Sequence, residues 1–112
     1  MSQNRPVSRP AVLSGADLAA RLATLPGWTH ADGRLHRTFQ FRDFSEAFGW
    51  MTRVALYAER RDHHPDWTNV YSRVAVSLQT HDAAGVTELD VELAREMDRL
   101  FSGAPAPAGR PL

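Results

Sequence analysis

The stretch Trp28-Thr29-His30-Ala31-Asp32-Gly33-Arg34-Leu35-His36-Arg37-Thr38-Phe39-Gln40-Phe41 decides the fold class. Asp32-Gly33 sits between two extended runs, and Asp-Gly suits a two-residue hairpin turn because both of its positions tolerate positive φ. In the second run Leu35, Phe39 and Phe41 fall on one face of a period-2 alternation, with Arg37 as the one polar exception. The segment therefore reads as an antiparallel hairpin with one face turned to a core.

Upstream of it, Ser14 is a candidate helix N-cap with Asp17 at the capping-box position. Leu18, Leu22 and Leu25 make an apolar stripe that stops at Pro26-Gly27. Downstream, Asp43 or Ser45 starts a second helix. Phe44, Ala47, Phe48, Met51, Val54, Ala55 and Ala58 recur along it at helical spacing, and Pro65 marks its end. Trp67–Tyr71 and Val74–Thr80 then read as a second hairpin about Ser72-Arg73, a pair with no preference for the positive φ such turns want. Thr87 opens a third helix with Asp90 at the capping-box position, and Val86, Leu89, Leu93, Met97, Leu100 and Phe101 supply its apolar face.

The order is α-β-β-α-β-β-α. It predicts a single α+β domain, a four-stranded antiparallel sheet with three helices on one face. The sheet edges are expected to be open to a second subunit, and the long stripe of the second helix suits a core or a subunit interface. The domain is expected over residues 14–101. Residues 1–13 read as a flexible N-terminal arm, and residues 102–112 as a flexible Pro/Ala/Gly tail.

Bulk properties narrow the function. A chain of 112 residues supports one core. Thirteen basic residues balance thirteen acidic ones, without the basic excess of a nucleic-acid binder. Cysteine is absent and every basic residue is arginine, which excludes disulfides, thiolate chemistry and a lysine Schiff base. No stretch approaches the roughly 18 apolar residues of a membrane span. Residues 1–14 lack an apolar signal core, so a cytoplasmic protein is expected.

Five histidines are present, at positions 30, 36, 63, 64 and 81. If Ser72-Arg73 is the turn, Tyr71 faces Val74, and extending that ladder puts His64 opposite His81 with His63 one residue away. Histidine titrates near pH 6.5, so a cluster can hold one ring as acid and another as base (about 6.5 is the unperturbed value). Glu59, Asp62, Asp82 and Asp90 can orient such rings, and Trp67 can stack on a planar substrate. Each residue also has a plain reading. Adjacent histidines in a loop are commonly solvated, Trp67 can be core, Asp90 a cap and Glu59 a surface ion-pair partner. His30 and His36 flank the first hairpin and suit solvent or packing roles. Three histidines and a carboxylate could hold zinc. Neighbouring residues of extended chain point to opposite sides, however, and the His-x3-His helical spacing is missing, so no metal is expected.

Taken together, Glu59-Arg60-Arg61-Asp62-His63-His64-Pro65-Asp66-Trp67 with Asn69, Val70 and Tyr71, followed by Leu78-Gln79-Thr80-His81, Gly85 and Asp90, resembles the pterin-4a-carbinolamine dehydratase family. The family pattern is a charged residue, three residues, His-His-Pro, an aromatic, a later histidine and then an aspartate, and each element is matched here. The resemblance implies a four-stranded antiparallel sheet with three helices. It implies dehydration of 4a-hydroxytetrahydrobiopterin to quinonoid dihydropterin without a cofactor, in support of tetrahydrobiopterin recycling. It marks His63, His64, His81 and Asp90 as catalytic positions, and Glu59, Pro65 and Trp67 as substrate-binding or supporting ones. It further implies a homodimer or homotetramer and a functional link to phenylalanine hydroxylase. The alternative is a non-catalytic binding module on the same fold, either a dimerisation cofactor or an assembly factor.

Overall fold

A computed structural model of the chain describes residues 10–103. The elements follow the expected order: α1 (Gly15–Leu22), β1 (Thr29–Ala31), β2 (Arg34–Gln40), α2 (Phe44–Arg61), β3 (Asp66–Val70), β4 (Arg73–Leu78), a single 3₁₀ turn (His81–Ala83) and α3 (Glu88–Ser102). The sheet is antiparallel throughout with strand order β1-β2-β4-β3. The hairpins therefore join through β2 and β4, leaving β1 and β3 as edges.

Local chemistry explains the boundaries. The Ser14 side chain accepts the Asp17 N–H at the start of α1, and Asp43 accepts the Glu46 N–H at the start of α2. Thr87 and Asp90 form a reciprocal capping box at α3. Asp32 and Gly33 both take positive φ, at 55° and 72°, as the Asp-Gly turn demands.

Strand alternation puts Leu35 and Phe39 of β2, and Val74, Val76 and Leu78 of β4, into one core with Trp50, Val54, Val91, Leu93 and Met97 from the helices. Burying each large apolar side chain contributes about 1.5–3 kcal/mol. The polar exception on β2 is accommodated: Arg37 lies over the Phe39 ring at 4.3 Å and donates to Asp98 at 2.7 Å. The Trp28 indole N–H donates to the same carboxylate at 2.9 Å. The Trp50 indole donates to the Met97 carbonyl at 3.1 Å and ties α2 to α3.

Two expectations are corrected. The second hairpin turns at Tyr71-Ser72, with Tyr71 at φ 51°. Val70 pairs with Arg73 and Asn69 with Val74, so His64 does not lie opposite His81 on the ladder. The true register is displaced by two residues. An even slip keeps each side chain on its face, so the inward set was read correctly from a wrong ladder. The second correction concerns α2, whose buried residues are Ala47, Trp50, Val54 and Ala58. Phe44, Phe48 and Ala55 of the expected stripe face outward.

Of the expected arm, residues 10–13 are described. Leu13 donates its N–H to the Val86 carbonyl at 2.9 Å and packs on the core. Of the expected tail, Ser102 ends α3 and Gly103 caps it in the left-handed conformation. The rest of both segments lies outside the described residues.

Candidate active site

The site forms where α2 ends. Asp62 adopts a left-handed conformation at φ 51°, and its N–H reaches back to the Glu59 carbonyl. The His63 N–H reaches the Ala58 carbonyl at 3.1 Å. These are the two bonds of a Schellman motif, which closes the helix and reverses the chain. Pro65 follows at the position where a helix could not continue. The reversal sends the two histidines to opposite sides: His63 is buried while His64 is exposed.

His63 points inward to Asp90, with Nε2 2.7 Å from Oδ1. Asp90 is fully buried and stands in the first turn of α3, where its other oxygen serves the capping box. That oxygen, Oδ2, accepts the Thr87 N–H at 2.9 Å and the Thr80 hydroxyl at 2.8 Å. The Thr80 and Thr87 hydroxyls are themselves 2.6 Å apart. A buried carboxylate needs such partners, since an unsatisfied one is strongly disfavoured.

His81 begins the 3₁₀ turn just past β4 and is exposed. The turn is braced at its base, where Thr80 bonds to the Gly85 carbonyl at 2.9 Å. Val12 covers Gly85 so closely that a Cβ there would meet its methyls at 3.0 Å. His64 pairs on the surface with Glu59, Nε2 to Oε1 3.0 Å.

His63, His64 and His81 thus line one cleft of about 210 Å³, together with Asp62, Gln79, Thr80 and Asp82. The three histidines meet although the expected ladder was wrong, because the reversal after α2 and the 3₁₀ turn after β4 both leave the same corner of the sheet. Trp67 is not part of this lining. It sits half-buried on β3 against the core, its ring 6.1 Å from that of Trp50. Pro65 shapes the reversal, and Glu59 reaches the cleft only through His64. His30 and His36 lie on the first hairpin, where His36 Nε2 is 3.1 Å from the Ala31 carbonyl. Among the described residues, no three His, Asp or Glu side chains converge as metal ligands.

A larger hollow of about 600 Å³ lies between the α1–β1 connection and the end of α3. Three of its charged groups are already engaged, Arg37 with Asp98 and Arg99 with Glu96, and it contains no histidine. Size alone is a poor guide here; the convergence of titratable groups favours the smaller cleft.

Thr80 is the site residue that sequence reasoning missed. It continues the inward alternation of Val74, Val76 and Leu78, and a hydroxyl at a core-facing strand position requires a buried partner. That requirement was the available signal.

Comparison with known proteins bears on the family and the fold. Residues 11–100 match the family model described as pterin 4 alpha carbinolamine dehydratase. A Bradyrhizobium sp. (strain ORS 278) protein, provisionally named a pterin-4-alpha-carbinolamine dehydratase, is 62% identical over 90 residues, 79% of this chain and 90% of that protein. A similarly named protein of Bradyrhizobium sp. (strain BTAi1) is 64% identical over 81 residues, 70% of this chain and 82% of that one. The crystal structure of a transcriptional coactivator/pterin dehydratase from Brucella melitensis superposes with a TM-score of 0.78 at 47% identity, covering 80% of this chain and 98% of that one. A pterin dehydratase-like protein described as a RuBisCO assembly factor shares the fold at a TM-score of 0.57 and 18% identity. By the match over residues 11–100 and these identities, the chain belongs to the pterin 4 alpha carbinolamine dehydratase family.

Proposed function

We propose that the protein is a cytoplasmic hydro-lyase that removes water from 4a-hydroxytetrahydrobiopterin, with no metal or redox cofactor. The observation that carries this reading is the cleft in which His63, His64 and His81 converge, with His63 backed by buried Asp90. Its volume of about 210 Å³ suits a small heterocycle rather than a polymer.

The chemistry asks for two proton transfers. The 4a-hydroxyl leaves as water once an acid protonates it. As the C4a–O bond breaks, the lone pair of the adjacent ring nitrogen forms the C=N bond, and a base removes the proton from that nitrogen. His63 and His81 are assigned these transfers, and His64 binds and orients the pterin. Asp90 lies behind His63 and does not line the cleft, so it acts through that ring as a positioning residue.

Outward-facing Phe44, Phe48 and Leu56 on α2, exposed by 47%, 52% and 60%, and the open β3 edge support self-association as a homodimer or homotetramer. Light scattering on the full chain tests that part. The same reading includes a functional link to phenylalanine hydroxylase, as a hydroxylase that would supply the 4a-carbinolamine substrate. Among the described residues, no helix is long and apolar enough to cross a membrane.

The deciding experiment follows carbinolamine loss by ultraviolet absorbance, after a hydroxylase has generated the intermediate, with and without chelator. Acceleration that survives chelator and is lost in His63→Ala and His81→Ala is expected. No acceleration by the folded wild-type chain would favour a non-catalytic binding module instead.

A further inference from the structure

The polar atoms behind His63 can be oriented one by one. The Thr87 N–H and the Thr80 hydroxyl both point at Asp90 Oδ2, and the Leu89 N–H donates to Thr87 Oγ1 at 3.2 Å. A carboxylate only accepts, so the Thr80 proton goes to Asp90. A hydroxyl has one proton, so the Thr80 oxygen must accept across its 2.6 Å contact, and the Thr87 hydroxyl must donate. The direction of the chain is then set: Thr87 to Thr80 to Asp90. The remaining oxygen, Oδ1, faces His63 Nε2 and accepts from it. The ring proton therefore sits on Nε2, which leaves Nδ1 as the nitrogen able to take a proton, on a ring that lines the cleft. Thr80, Thr87 and Asp90 are at most 1% exposed and His63 7%, so bulk water does not compete for these bonds.

We propose that Thr80 and Thr87 are positioning residues whose one-directional hydroxyl chain keeps Asp90 an acceptor and holds His63 as the Nε2–H tautomer, presenting Nδ1 to the substrate as the base. The catalytic consequence rests on the dehydratase reading; the tautomer does not. One substitution exposes the logic. In Asp90→Asn the amide oxygen must replace Oδ2, because the Thr80 hydroxyl and the Thr87 N–H still require an acceptor there. The amide NH₂ then faces Nε2, and the His63 proton is driven to Nδ1. A protonated Asp90 donating from Oδ1 to Nε2 would leave the hydroxyl chain as it is and give that same Nδ1–H form in the wild type, so the two arrangements are distinguishable.

The test is ¹⁵N–¹H correlation of the histidine ring nitrogens in the full chain, at a pH where the rings are neutral. Wild type and Thr80→Ser are expected to show a single Nε2–H tautomer for His63. Thr80→Val, which removes the hydroxyl but keeps the shape, is expected to show averaging between the two tautomers. Asp90→Asn is expected to show Nδ1–H. In the dehydration assay, Thr80→Val should lose about tenfold in kcat, less than the roughly 10²–10⁴ of a whole acid–base group, with KM within about twofold, and Thr80→Ser should restore it. An Nδ1–H ring in the wild type overturns the proposal. So does a Thr80→Val protein whose Tm falls while His63 stays a single Nε2–H tautomer, or an Asp90→Asn protein that keeps Nε2–H. If Thr80→Val does not fold, the wild-type and Asp90→Asn spectra decide. If the tautomers behave as expected but the wild type does not accelerate dehydration, the hydroxyl chain stands and the dehydratase reading falls.

Discussion

His63 and His64 are neighbours in sequence, and each pairs through Nε2 with a carboxylate, at 2.7 Å and 3.0 Å. The His63–Asp90 side chains are 7% and 0% exposed, whereas those of His64–Glu59 are 57% and 80% exposed. The contacts look alike and differ in physics. Water screens the exposed pair, and its two mobile side chains gain little from meeting. In the buried pair no solvent can replace a missing partner, and the other oxygen of Asp90 accepts from both Thr80 and the Thr87 N–H. A distance alone therefore says little about an ion pair. Its surroundings decide whether it can hold a ring in one orientation and one protonation pattern.

Substitutions can break this contrast. His63→Ala is expected to lower kcat/KM by about 10²–10⁴, the usual contribution of an acid–base group. His81→Ala should fall in the same range, since both proton transfers are required. Asp90→Ala should cost about 3–5 kcal/mol of stability in urea titration, because it abandons His63, Thr80 and the Thr87 N–H in a dry interior. Glu59→Gln should change stability by no more than about 0.5 kcal/mol, as surface substitutions commonly do. Its effect on turnover should appear in KM rather than kcat. A Glu59→Gln protein as damaged as Asp90→Ala would end the distinction between the two pairs.

The two hairpins show how much was legible beforehand. Asp32-Gly33 names its own turn, and the first register follows from it. Tyr71 occupies a left-handed position in the second hairpin without being glycine or asparagine, and the turn was accordingly misplaced by one residue. Tyr71→Gly should remove a strain of roughly 1–2 kcal/mol. Tyr71 is 64% exposed, so little packing is lost with it, and a raised Tm is expected. Asp62 presents the same difficulty at the end of α2: its left-handed turn aims His63 inward, yet aspartate announces such a turn weakly. The histidines, Thr87 and Asp90 were readable because a motif or a cap requires those residue types. Thr80 was not read, because the alternation that places its hydroxyl in the core does not name the partner it meets there.

The smallest expected effect lies away from the site. Arg21 of α1 pairs with Glu88 at the start of α3. The guanidinium holds the Glu88 carboxyl below the ordinary glutamate value, chiefly through its hydrogen bond. A depressed carboxylate contributes stability above its unfolded pKa and loses it as pH falls through the folded one. Glu88→Gln should thus be slightly less stable than wild type at neutral pH, and the gap in Tm should close once the solution is more acidic than the lowered value.

The measurement that tests the central claim most directly is single-turnover dehydration of the 4a-carbinolamine by wild type, His63→Ala and His64→Ala, each checked for folding by circular dichroism. We expect a fast wild type, a His63→Ala protein slowed by about 10²–10⁴, and a His64→Ala protein whose main defect is weaker substrate binding. Equal rates for wild type and folded His63→Ala would contradict the claim that the buried histidine carries the proton.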